Sequence, residues 1–126
     1  MKEYMFFIRK QGKSGERLSS DQHQKFLKSC ERYIGKLKNE GKLISAQPIE
    51  WTGKIVSRAG EGWNEVPFTE PGEVIGGYYH ILASDAQEAI SIAKANPEFE
   101  YNTDTRIEVR PIKTKEESTG FVYPGP

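Results

Sequence analysis

A single cysteine, Cys30, and two histidines, His23 and His80, are all this sequence offers of the residues that usually build metal centres. One cysteine excludes an intrachain disulfide and any thiolate cluster. The histidines stand far apart with no carboxylate at ligand spacing, so there is no metal motif. Neither sign of charge prevails. Eighteen Lys and Arg face eighteen Asp and Glu, and the basic excess expected of a nucleic-acid binder is missing. Long apolar runs are missing too: the run from Tyr4 to Ile8 is too short for a signal-peptide core or a membrane span. Gly76-Gly77 lies inside a strand pattern rather than between strand and helix, so it is no phosphate-binding loop. These absences lead us to expect no metal, no cofactor, no nucleic-acid or membrane partner, and a cytoplasmic location. With 36% hydrophobic residues in 126, the chain can build one core and not two.

What is present is a strong local pattern at residues 74–97, VIGGYYHILASDAQEAISIAKANP. It reads as a strand, a cap at Ser84 or Asp85, and a helix ending at Asn96-Pro97. In the strand, Ile75, Gly77, Tyr79, Ile81 and Ala83 alternate with Val74, Gly76, Tyr78, His80 and Leu82, and both faces are largely apolar. Residues 2–9 form a second strand of this kind, with Tyr4, Phe6 and Ile8 on one face and Met5, Phe7 and Arg9 on the other. After a polar loop at 11–17, Ser20 or Asp21 caps a helix. Its stripe is Phe26, Leu27, Cys30, Tyr33, Ile34 and Leu37, and Gly41 terminates it. Residues 42–51 are a strand that Pro48 assigns to a sheet edge. Residues 54–57 and 63–68 make a hairpin about Gly60 and Gly62. A short connection spans 69–72, a polar loop 98–104, and a last half-wet strand 105–112.

The order is strand, helix, strand, hairpin, strand, helix, strand. This predicts an α+β, ferredoxin-like βαββαβ fold with an extra β-hairpin over residues 1–113, followed by a tail at 114–126. The strands apolar on both faces fit the central positions. Two helices cover one face of such a sheet, and the other would expose an apolar patch. A second copy is the simplest cover, which predicts a homodimer closing a dimeric α+β barrel.

The chain resembles the YCII-related proteins of the branch called DGPF-domain proteins. The resemblance rests on KEYMFFIR, on the helix end Leu37-Lys38-Asn39-Glu40-Gly41, on VPFTEPGEVIGGYYHILASDAQEAISIAKANP and on IEVRPI. It implies the same dimeric barrel, and a cleft with a suggested His and Asp pair. Here the Asp-Gly-Pro-Phe signature is altered to Glu65-Val66-Pro67-Phe68, and Cys30 stands where many relatives carry histidine. Cys30 and Glu65 are therefore candidate catalytic residues, and His80, on a central strand two residues from Tyr78 and Leu82, is a third. Each also has a plain reading: Cys30 as a core thiol, Glu65 as a solvated carboxylate, His80 as a core or interface side chain. Arg9, Phe68, Tyr78 and Tyr79 are candidate ligand contacts in an aromatic-lined cleft, with Trp51 and Trp63 nearby in the reading. The expected function is small-molecule binding, extending to cofactor-independent acid/base chemistry. The alternative is a non-catalytic dimeric interaction module.

Overall fold

Strands β1 (Lys2–Gln11) and β5 (Glu73–Ala83) lie side by side, antiparallel, at the centre of a four-stranded sheet. The edges are β2 (Leu43–Pro48) beside β5 and β6 (Arg106–Pro111) beside β1, giving the order β2-β5-β1-β6. That is the ferredoxin-like arrangement, with the two-sided apolar strands inside and the strand ending in Pro48 outside. The structure, a computed structural model, describes residues 1–12, 18–68, 72–102 and 104–126. Most of the expected loop at 11–17 and of the connection at 69–72 lies outside these.

Helix α1 (Ser20–Asn39) begins one residue earlier than the sequence suggested. Ser19 accepts from the Gln22 backbone N–H at 3.1 Å, and the Gln22 side chain accepts in return from the Ser19 N–H at 3.0 Å. This reciprocal box satisfies two N–H groups that the first turn would otherwise leave free. At the other end Glu40 caps the helix and Gly41 turns the chain at φ +70°, the left-handed region open to glycine. Helix α2 (Ala86–Lys94) is capped by Asp85, which accepts from the Glu88 N–H at 2.8 Å. A short helix α3 (Glu98–Tyr101) follows where a loop was expected. Asn96 Oδ1 accepts from the Glu98 N–H and so starts that turn.

Both long helices pack on one face of the sheet. Tyr4, Phe6, Ile8, Tyr79, Ile81 and Ala83 form the core with Ala89 and Ala93 of α2, and Tyr33 and Ile34 of α1 pack against it. The small alanines let α2 approach the sheet closely. Phe6 and Ile81 have no exposed surface, and burial of each is worth roughly 1.5–3 kcal/mol.

One expectation fails at the end of β5. Ile8 pairs with Gly77, but Arg9 pairs with Ile75, so Gly76 has no opposite number on β1. This bulge shifts the alternation by one residue. Val74 is consequently buried and Ile75 is 46% exposed, the reverse of a regular two-residue period. Gly77 is required by a close approach: a Cβ there would lie 3.0 Å from the Gln47 carbonyl oxygen and 3.3 Å from Pro48 Cα.

Among the described residues, strands β3 (Lys54–Ala59) and β4 (Gly62–Pro67) pair only with each other, as a two-stranded sheet. Every residue of both is exposed, Ile55, Val56, Trp63 and Val66 included. The tail forms a smaller loop of its own, closed by a bridge between Lys115 and Val122.

Candidate functional site

The face of α1 that meets the sheet does not fill the space beneath it. Phe26, Cys30 and Ile34, spaced by four residues, point one way from the helix. Together with Ile8, Lys10, Ala46, Pro48, Gly76, Gly77 and Tyr79 they line a half-open cavity of about 310 Å³. The two glycines leave the cavity floor as bare backbone. A Cβ on Gly76 would meet the Lys10 side chain at 3.1 Å and the Trp51 indole nitrogen at 3.6 Å.

One end of the cavity is polar. Lys10 Nζ lies 2.9 Å from Glu98 Oε1 and 5.4 Å from the centre of the Phe26 ring. The same carboxylate oxygen accepts from Asn102 Nδ2 at 3.0 Å, and Glu98 is only 4% exposed. Neighbouring Asn96 is 1% exposed, and its Nδ2 has no acceptor among the described residues. Burial pushes the Cys30 thiol up to about 11, with the Glu98 charge adding to the effect. Burial also raises the Tyr33 and Tyr79 hydroxyls. All three groups therefore hold their protons at neutral pH. The Tyr33 hydroxyl donates to the Ile92 carbonyl at 2.6 Å, which fixes α1 to α2, and its ring meets Tyr79 edge-on.

The other sequence candidates lie elsewhere. His80 follows Tyr79 on β5 and so faces away from the helices, with Met5 and Ser45 as its cross-strand neighbours. Its Nε2 is 2.7 Å from Glu3 Oε1, and a carboxylate can only accept, so this nitrogen carries the proton. Glu65 sits on the exposed hairpin, 4.0 Å from Lys54 Nζ. Arg9 is on the open face, 3.5 Å from both Glu73 and Glu108. Arg106 grips Glu73 with two bonds of 2.6 and 2.7 Å and holds that carboxyl below its ordinary range. Phe68, at the foot of the hairpin, donates its N–H to the Gly53 carbonyl. Of the seven candidates, Cys30, Tyr78 and Tyr79 border the cavity, Tyr78 although the alternation turns it to the other face of β5.

A family model, the YCII-related domain, matches residues 3–113. The chain belongs to that family. No curated protein matches it. No helix among the described residues is long and apolar enough to cross a membrane. In this YCII-related domain the altered signature, Glu65-Val66-Pro67-Phe68, runs from the end of β4 to the residue after it.

Two residues of the cavity were missed by the sequence reading. Lys10 had a signal: it continues the alternation Tyr4, Phe6, Ile8 by one more step, onto the helix side. Glu98 had none. It follows Pro97 in a stretch without periodicity, and its burial arises only once α3 folds back on α1.

Proposed function

We propose that this YCII-related domain binds a small organic molecule in the cavity between α1 and the sheet. One observation carries the reading: a ligand-sized space in the domain, floored by two glycines and closed at one end by polar side chains. Pockets of about 300–1,000 Å³ with apolar walls and a few converging polar groups are typical of small-molecule sites. Cys30 is a wall of this space rather than a nucleophile, because the thiolate is the reactive form. Any cofactor-independent proton transfer here would fall first to Glu98 and Lys10. Glu65 and His80 would take part only if assembly brought them to the same ligand.

The test is a screen of small molecules by thermal shift and native mass spectrometry, run on the natural chain and on Ala46→Phe. Binders should raise the melting temperature of the natural chain and fail to do so once the phenyl ring fills the cavity. Binders unaffected by Ala46→Phe would refute the reading.

A second reading, a homodimer joined through the uncovered sheet face, has its own support. Met5, Phe7, Tyr78, His80 and Leu82 alternate with core residues on β1 and β5 and so share that face. The hairpin β3–β4 leaves Ile55, Val56, Trp63 and Val66 in solvent, and two isolated strands are marginal in water. In this reading the two sheets close a barrel and the hairpins embrace the partner. Light scattering should give twice the chain mass of 14.3 kDa, reduced to one chain by Phe7→Glu with Leu82→Glu. A single-chain mass for the natural protein at micromolar concentration would rule it out.

A further inference from the structure

We propose that the cavity selects an uncharged molecule with one apolar ring and one hydrogen-bonding group, and rejects carboxylates and ammonium ions of the same shape. The inference rests on the binding reading above and names its ligand class. The size points to a single ring system, since about 310 Å³ is at the small end of ligand pockets. Ile8, Phe26, Leu27, Ile34 and Ala46 make the walls apolar, and Gly76 and Gly77 add no side chain to the space.

Charge decides the rest. Three charged groups line the cavity: half-buried Lys10 and buried Glu98 are already 2.9 Å apart and neutralise one another, and Glu31 lies on the solvent-exposed side of α1. Cys30 and Tyr79 are neutral there. A carboxylate entering would have to draw Lys10 from Glu98 and leave that 4%-exposed carboxylate without its cation. An ammonium would have to displace Lys10 from the same oxygen. The first exchange leaves Glu98 buried and unpaired, which is far costlier than leaving a neutral group there; the second only swaps one ion pair for another while the ligand loses its hydration, so it gains nothing. A hydroxyl or amide needs no exchange. It can accept from Lys10 Nζ or donate to Glu98 while the pair stays intact.

Three compounds of one shape test this: 2-phenylethanol, phenylacetate and 2-phenylethylamine, titrated into the full chain by NMR or calorimetry at pH 7. The alcohol should bind, and both ions should bind on the order of tenfold or more weakly, a difference of about one decade in Kd. Glu98→Gln should shift the preference toward phenylacetate by freeing Lys10. Lys10→Met should shift it toward 2-phenylethylamine by freeing Glu98. Far-UV circular dichroism checks that each variant folds, and the ranking on the natural chain decides the matter without them. Either ion binding as tightly as the alcohol overturns the inference while leaving the binding reading intact. Failure of the alcohol to bind also overturns it, whereas the broader reading is judged by the screen against Ala46→Phe.

Discussion

The two faces of β1 and β5 are cut from the same strands, of ten and eleven residues, and end in different states. On one face every second residue is buried against helices. On the other, Met5, Phe7, Tyr78, His80 and Leu82 are only half-buried, though nearly as apolar. Composition does not separate the faces; cover does. The βαββαβ order sends both crossover helices to one side, so a sheet apolar on both sides keeps one side for something else. The covered side is also incompletely filled, because α1 stands off the glycine end of β5 and leaves the cavity. On the proposed function, the difference gives packing and ligand one face and partner contact the other.

The largest expected effect compares neighbours on one strand. Phe6→Ala, on the covered face, should lower unfolding free energy by about 3–5 kcal/mol in urea denaturation. Phe7→Ala, on the open face, should cost about 1–2 kcal/mol measured on dissociated chains, in keeping with its partial burial. Equal losses would break the distinction between the faces.

The next effect concerns reactivity on the covered face. With its pKa near 11 against an ordinary value of 9.0, Cys30 should present a thiolate fraction about 100-fold below that of a free thiol at pH 7.5. Alkylation by iodoacetamide should be correspondingly slow and should accelerate toward pH 11. The same raised pKa means the native chain holds this proton where the unfolded chain has lost it. Its contribution to stability is therefore whole below pH 9 and is lost as pH rises from 9 to about 11. Alkylation at the rate of an unfolded control at neutral pH would place Cys30 in open solvent rather than on the cavity wall.

A smaller effect compares the two glycines. Gly77→Ala forces a methyl onto the backbone of β2 and should cost about 1–3 kcal/mol. Gly76→Ala meets the flexible stem of Lys10 and should cost less, while narrowing the cavity and weakening any ligand found there. Thermal unfolding of both variants checks the order.

Much of this architecture was legible before any coordinates. Two-sided apolar strands, Pro48 at an edge, the α1 stripe and an α2 cap at Ser84 or Asp85 all follow from local chemistry, and the sheet order follows from them. The register near Gly76 was not legible, because a bulge depends on the facing strand and a two-residue period cannot reveal it. Nor was the site. Lys10 and Glu98 are 88 positions apart in number, and only folding of α3 against α1 brings them together. The candidates chosen from the sequence, Cys30, Glu65 and His80, were chosen for reactive side chains, and the fold distributes them over a cavity wall, an arm and an open face.

The central claim is that ligand and partner use opposite faces of one sheet. Its most direct test is an amide NMR titration of the full chain with 2-phenylethanol. Shifts confined to Phe26, Cys30, Ile34, Gly76 and Gly77 are expected. Shifts centred instead on Met5, Phe7, His80 and Leu82 would contradict it.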